Sequence, residues 1–296
     1  ENQATVKEYK DKLGKVVLKE SYLNANIPLK TYYVYDDYGL LRFVFPPEAS
    51  RSLSVGNVTY SINDNLVKSL CYYYQYDSRK RMVIKQLPGA ESVYMVYDNR
   101  DRLAATQDGN MRSTEPVVHP DKEWLFTKYD CLNRPVMTFK MKDVRNREQL
   151  QAAADSSQVF FETLTGENYT NNSFPDHTNA DILTVTYYDT YDFLSEKQEL
   201  QFDTVLNISK KDFLSKPTGF VTGTKTVILD KNNPDTWLYS VTYYDDRYRA
   251  IQTIIQHLAP AGVLTEKTGS LYDFTGKVLK TLTRFDGKTI EKKFTY

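Results

Sequence analysis

The stretch Tyr97-Asp98-Asn99-Arg100-Asp101-Arg102 decides the reading of this chain, because the same phrase returns along its length. An apolar run, Val93-Tyr94-Met95-Val96, leads into the Tyr-Asp pair. Two variable residues, a turn-forming residue and a basic residue follow, and a second run then begins. Other copies read Tyr35-Asp36-Asp37-Tyr38-Gly39-Leu40, Tyr76-Asp77-Ser78-Arg79-Lys80-Arg81 and Tyr129-Asp130-Cys131-Leu132-Asn133-Arg134. Three more are Tyr188-Asp189-Thr190-Tyr191-Asp192-Phe193, Tyr244-Asp245-Asp246-Arg247-Tyr248-Arg249 and Tyr272-Asp273-Phe274-Thr275-Gly276-Lys277. A degenerate copy opens the chain, with Asp11, Gly14 and Lys15 in place and Lys10 where Tyr would stand. Repetition of this kind outweighs the reading of any single segment.

Elementary chemistry makes the phrase a β-hairpin. Runs such as Leu183-Thr184-Val185-Thr186-Tyr187 and Tyr239-Ser240-Val241-Thr242-Tyr243 alternate and are rich in β-branched and aromatic residues. The Asp carboxylate can accept from the backbone N–H two residues on, an Asx-turn that reverses the chain. The fifth position is Gly, Asn, Asp or Lys in most copies, and Gly, Asn and Asp best tolerate the left-handed conformation closing such a loop. Tyr248 breaks this rule, which predicts a distorted turn there. The basic residue at the sixth position faces the Asp across the hairpin. An exposed pair of that kind is worth roughly 0–1 kcal/mol and tunes register. The return runs, Met82-Val83-Ile84, Pro135-Val136-Met137, Ala250-Ile251 and Val278-Leu279, are again β-prone.

A single hairpin is marginal in water, so the units are expected to pack side by side in an antiparallel array. The motif tyrosines would then form a column, with exposed aromatics stacking on one another between repeats. The 24 Tyr and 14 Phe, against 2 Trp, agree with a strand-dominated chain. Tyrosine also tolerates one wet end.

Spacing between copies runs from 21 residues (Tyr76 to Tyr97) to 59 (Tyr129 to Tyr188), so inserts separate some hairpins. The whole of 1–296 reads as one repeat array, with copies near 9–15, 35–42, 76–84, 97–105, 129–137, 188–195, 244–251 and 272–279. Inserts are expected at 139–181 and 197–237. In the first, Asn146 can cap a helix through Arg147-Glu148-Gln149-Leu150-Gln151-Ala152-Ala153-Ala154, with Gln149 completing a capping box. Leu150, Ala153 or Ala154, Phe161 and Leu164 give it a loose apolar stripe. Residues 166–179, rich in Asn and Thr, read as irregular. The second insert holds a strand candidate at Thr224-Lys225-Thr226-Val227-Ile228-Leu229 and a polar turn at Lys231-Asn232-Asn233-Pro234. Lys292-Lys293-Phe294-Thr295-Tyr296 looks like a strand entering a ninth copy, so the sequence is expected to stop inside the array.

Composition narrows the function classes. The 296 residues carry 38 basic and 38 acidic side chains, which gives no net pull toward nucleic acid or anionic membrane. No run approaches the roughly 18 apolar residues of a spanning helix. The residues around Glu1 are polar and do not read as a signal peptide, so the sequence is expected to begin after any targeting segment. Cys71 and Cys131 lie far apart in sequence and match no metal spacing, which favours two unpaired thiols over one disulfide.

The repeated phrase resembles the YD repeats of the Rhs family over nearly the whole chain. Leu87-Pro88-Gly89-Ala90-Glu91, Val93 to Asp98, and Trp124-Leu125-Phe126-Thr127-Lys128-Tyr129-Asp130 resemble the version in large bacterial surface proteins that end in an Rhs-associated core. The resemblance implies an all-β fold, a long curved sheet of antiparallel hairpins forming part of a strip or shell, as in toxin-complex cocoons and teneurin shells. It implies a secreted or cell-surface, non-catalytic scaffold that presents or encloses another segment of a larger protein, often a toxin. The partner is then the rest of its own chain. The Asp-Pro self-cleavage segment of the associated core has no counterpart here, so neither the core nor its protease activity transfers.

Catalytic and cofactor signatures are weak. Gly219-Phe220-Val221-Thr222-Gly223-Thr224-Lys225-Thr226 echoes a phosphate loop, but its spacing is short and Lys does not follow the second Gly, so it reads as a turn entering a strand. His119, His177 and His257 are scattered. No G-x-S-x-G elbow occurs. The acidic residues that a sugar hydrolase would need are accounted for as turn formers. Asn57-Val58-Thr59, Asn168-Tyr169-Thr170, Asn171-Asn172-Ser173 and Asn207-Ile208-Ser209 are acceptor sequences without further meaning. The expectation is therefore no catalytic residue, metal or cofactor. The alternative is a carbohydrate- or protein-binding surface module, and a hydrolase is the distant third.

Overall fold

The structure, a computed structural model, describes residues 6–22, 28–53, 60–112, 122–229, 236–260 and 262–296. Asn57 with its acceptor sequence, His119 and the polar turn at 231–234 lie outside the described residues. The chain divides into two compact units, Glu1–Leu125 with Lys142–Ser156, and Phe126–Met141 with Ser157–Tyr296. Copies of the phrase fall in both.

The first unit is a succession of antiparallel strands. They are β1 (Val6–Lys10), β2 (Val16–Tyr22), β3 (Pro28–Tyr35), β4 (Leu41–Phe45), β5 (Tyr72–Tyr76), β6 (Met82–Gln86), β7 (Val93–Tyr97) and β8 (Leu103–Gln107). Each pairs with the next in order. Two short helices, α1 (Pro47–Arg51) and α2 (Asn65–Leu70), intervene between β4 and β5. Their Ala49 and Val67 are buried with Phe45 and Cys71, against Tyr32, Phe43 and Tyr60. A further short helix, α3 (Gly109–Arg112), follows β8.

Helix α4 (Arg147–Asp155) also belongs to this unit. It forms where the capping box predicts: Asn146 Oδ1 accepts from Gln149 N at 2.8 Å, and Gln149 Oε1 accepts from Asn146 N at 3.0 Å. Leu150 and Ala154 are fully buried, whereas Phe161 lies beyond the helix and is 36% exposed. Gln151 docks α4 on β7, accepting from Tyr97 N at 3.0 Å and donating to Tyr97 O at 2.7 Å.

In the second unit, β9 (Glu123–Tyr129), which begins in the first, pairs with β10 (Pro135–Lys142). Then follow β13 (Asp181–Tyr188), β14 (Val221–Val227), β15 (Trp237–Tyr244), β16 (Ala250–Ala259), β17 (Gly262–Tyr272), β18 (Val278–Phe285) and β19 (Lys288–Lys293). These are again antiparallel neighbours. A separate two-stranded hairpin, β11 (Leu164–Thr165) with β12 (Asn168–Tyr169), adds order to the segment expected to be irregular.

The long insert opens inside a hairpin, not after one. Tyr188 pairs with Val221, and residues 190–220 fill the space between them. This segment makes three 3-10 turns, Asp192–Leu194, Gln198–Leu200 and Thr204–Leu206, each ending on a fully buried leucine. Phe193 stacks on Tyr187 at 3.9 Å between ring centres, and Tyr191 stacks on Tyr243 at 4.6 Å. The residues preceding Tyr188 and Tyr244 therefore carry this cover, because successive side chains of a strand point to opposite faces. Two glycines make room for it. A Cβ on Gly223 would stand 2.4 Å from Phe193 Cζ, and one on Gly269 would stand 1.9 Å from Leu206 O.

Candidate functional site

The corners of the hairpins are built alike. In seven copies, one carboxylate oxygen of the motif aspartate accepts from the N–H groups two and four residues on, at 2.8–3.1 Å; the aspartates are Asp11, Asp36, Asp77, Asp98, Asp130, Asp245 and Asp273. The aspartate N–H also donates to the carbonyl four residues on, and its own carbonyl accepts from the N–H three residues on. That third residue is left-handed in every case: Gly14, Gly39, Lys80, Asp101, Asn133, Tyr248 and Gly276, with φ between +59° and +93°. A register shift falls at Tyr35, Tyr76, Tyr97, Tyr188, Tyr244 and Tyr272, and at Lys10 in the degenerate copy, so the bulge belongs to the phrase.

Tyr248 makes the same turn as the others, with φ +59°, although its residue type predicts distortion. A left-handed non-glycine residue costs about 1–2 kcal/mol. Here the Asp245 bonds fix the backbone and the Tyr248 ring stacks on Phe220 at 4.8 Å.

The Asp–Arg pairs are better shielded than an exposed reading allows. Arginine Nε donates to the second carboxylate oxygen at 2.7 Å in Asp77–Arg81, 2.7 Å in Asp98–Arg102, 2.6 Å in Asp130–Arg134 and 2.8 Å in Asp245–Arg249. The Asp245 side chain is fully buried. Burial pushes the Asp245 carboxyl up, but the bonds from Arg249 and Arg247 outweigh it and hold the group below its ordinary range.

Within each unit, corners also reach a neighbouring corner. Tyrosine hydroxyls donate to the carbonyl of the first residue of the preceding return strand. These are Tyr35 to Val16 (3.1 Å), Tyr97 to Met82 (2.7 Å), Tyr188 to Pro135 (3.0 Å), Tyr244 to Val221 (2.8 Å), Tyr272 to Ala250 (2.8 Å) and Tyr296 to Val278 (3.0 Å). The preceding corner's cation lies over the ring: Lys15 on Tyr35, Arg81 on Tyr97, Arg134 on Tyr188, Arg249 on Tyr272 and Lys277 on Tyr296, at 4.2–5.2 Å. Lys15, Arg81 and Arg249 also donate to a carbonyl of the following corner, at Gly39, Asp98 and Asp273. A cation, and not another tyrosine, therefore covers each of these five motif rings. Tyr296 makes the contacts of a motif tyrosine, although the strand before it ends at Lys293.

Asp189 departs from the pattern. Its turn does not close locally; Asp189 N donates to Phe220 O, and Gly219 N donates to its carboxylate. Phe220 stands where the basic residue would be, and Arg134 of the preceding corner takes over with a two-pronged bond to Asp189 at 3.0 and 2.6 Å. Those bonds lead in holding the Asp189 carboxyl below its ordinary range.

Other polar groups were not apparent from the phrase. Lys128 and Glu162 form a wholly buried pair at 2.8 Å. A cavity of about 380 Å³ in the first unit is lined by Lys68, Gln75, Gln86, Glu91, Ser92 and Tyr94, among others. His177 lies against Phe139 and His257 against Glu266. Gly219 and Gly223 serve a corner and the Phe193 seat. Among the described residues, no cluster of His, Cys, Asp and Glu is arranged to hold a metal ion, Cys71 and Cys131 are free, and no helix is long and apolar enough to cross a membrane.

No protein-family model and no curated protein matches the chain. Solved structures do. A crystal structure of TcdB2-TccC3 without its hypervariable C-terminal region aligns with 100% of this chain at 12% identity and a TM-score of 0.50. TcdB2-TccC3-Cdc42 aligns with 98% at 12% identity and 0.49, and a Photorhabdus luminescens Tc holotoxin pore with 98% at 12% identity and 0.42. The chain spans only 12% of the two TcdB2-TccC3 chains and 14% of the holotoxin chain. At this identity the likeness is one of fold: an antiparallel hairpin array like that of a toxin-complex protein.

Proposed function

We propose that the chain is a non-catalytic segment of an exported Rhs-like shell, which encloses or presents another part of its parent protein. The observation that carries this reading is the link from corner to corner, in which a cation and a carbonyl of one hairpin receive the tyrosine of the next. Such a device specifies the addition of further hairpins and requires no substrate. The fold likeness to TcdB2-TccC3 supports it.

The test is limited proteolysis of the full-length parent protein. The segment to which these hairpins are joined is expected to survive in the native protein and to be cut rapidly once the shell is opened by denaturant. Equal cleavage in both states would contradict enclosure. A second reading, a glycan-binding surface, draws on exposed corner-tip aromatics, Tyr38 at 76% and Phe274 at 88%. Selective glycan-array binding that is lost in a Tyr38→Ala, Phe274→Ala variant would favour it.

A further inference from the structure

Lys128, Asn171 and Glu162 meet in the second unit in a way that the scaffold reading does not use. Lys128 lies on β9 at an alternate position to Trp124 and Phe126, so the strand's alternation carries an amine to the buried face. Its Nζ donates to Glu162 Oε1 at 2.8 Å, Asn171 Oδ1 at 2.9 Å and Ser173 O at 3.0 Å. Phe126 packs on Phe139 and Phe174, and His177 covers Phe139. The amine and the carboxylate are therefore shielded from water, and the carboxamide of the exposed Asn171 meets the amine at contact distance.

Glu162 does not depend on Lys128 for its hydrogen bonds. Ser173 N and Oγ donate to Oε1 at 2.9 and 2.6 Å, and Thr170 Oγ1 and Asn172 N donate to Oε2 at 2.7 and 3.0 Å. The carboxylate would thus stay satisfied if the lysine lost its charge. The Asn171 carbonyl oxygen is polarised by Lys128 and by His177 N at 3.1 Å. This is where negative charge would develop if a nucleophile added to the carbon.

We propose that Lys128 and Asn171 join in an intramolecular amide bond, with Glu162 carrying the proton. The Lys128 ammonium gives a proton to Glu162, and the free amine adds to Asn171 Cγ. The bond from Nζ to Cγ forms and that from Cγ to Nδ2 breaks. Glu162 takes the second amine proton in exchange for the one it delivers to the departing nitrogen, which leaves as ammonia and carries off the remaining proton as ammonium. No oxidant or co-reactant is needed. Burial lowers the proton affinity of Lys128, which favours the amine form the step requires. Holding the groups in contact replaces an encounter that would not occur in water.

The experiment is intact-mass measurement of the folded full chain under denaturing conditions, followed by peptide mapping. The expected mass is below that of the sequence by one ammonia, with a branched peptide joining Lys128 to Asn171. Asn171→Asp is expected to lose one water in its place, and Glu162→Ala to show no deficit. A mass equal to that of the sequence would overturn the proposal. So would an ammonia deficit that maps to Asn171 alone, as a cyclic imide without Lys128.

Discussion

The guanidinium of Arg81 lies 4.8 Å above the ring of Tyr97, whose hydroxyl donates to Met82 O at 2.7 Å, the carbonyl next along from Arg81. Two hairpins are thus held by one tyrosine, through its face and its edge. Replacing Tyr97 with Phe keeps the face and removes the edge. We expect a loss of about 1 kcal/mol, the usual net value of one hydrogen bond, and about 3 kcal/mol or more for Tyr97→Ala. Urea unfolding of the two variants checks this, and a Phe variant as stable as the parent would remove the hydroxyl from the account.

The corner aspartates give stability a defined pH dependence. Asp77 and Asp245 are pushed up by burial but held below their ordinary range by backbone and arginine bonds. A carboxyl whose folded value is depressed stabilises the fold above its unfolded value, about 3.9, and loses that contribution as pH falls through the folded value. The urea midpoint is therefore expected to drop steeply below about pH 4. Asp245→Asn should start lower and lose less on acidification. An unchanged acid slope in that variant would contradict the assignment.

Lys80 sits at φ +64° in its corner. Glycine there avoids the side-chain clash, so Lys80→Gly is expected to raise stability by about 0.5 kcal/mol, whereas Lys80→Val should lower it by about 1–2 kcal/mol. Unfolding midpoints measure both, and the sign difference between them is the test.

The docking of residues 190–220 rests on the absent side chain of Gly269, where a Cβ would meet Leu206 O at 1.9 Å. Gly269→Ala is expected to cost about 2 kcal/mol through forced displacement. It should also open the insert to protease before the strands. Protection equal to that of the parent would show that the insert is held elsewhere.

Thiol reactivity should separate the two cysteines. Cys71 is fully buried and burial pushes its thiol up to about 11, whereas Cys131 stands exposed in a corner. A thiol reagent at pH 8 should label Cys131 in the native protein and both after unfolding. Native labelling of Cys71 would contradict the packing around α2.

The corners were legible in the sequence because their chemistry is local: the carboxylate and the N–H groups it binds lie within five residues. The Asp189 corner was not, because it is closed by Gly219 and Phe220 after a 31-residue excursion, 190–220, and its cation comes from Arg134. The tyrosine phrase predicted a column of rings, but not that Lys15, Arg81, Arg134, Arg249 and Lys277 would cover them; contacts between hairpins leave no mark on either phrase alone. The Lys128 cluster had one available signal, the alternation Trp124, Phe126, Lys128, which puts the lysine on the buried face. Its partners Glu162 and Asn171 lie in a segment without periodicity.

The coupling of one corner's cation to the next corner's tyrosine is tested most directly by a double-mutant cycle on Arg81→Met and Tyr97→Leu in urea unfolding. The two changes are expected to interact by about 1–2 kcal/mol, as a partly desolvated cation over an aromatic face does. Additivity within about 0.3 kcal/mol would show that the hairpins are neighbours without being linked.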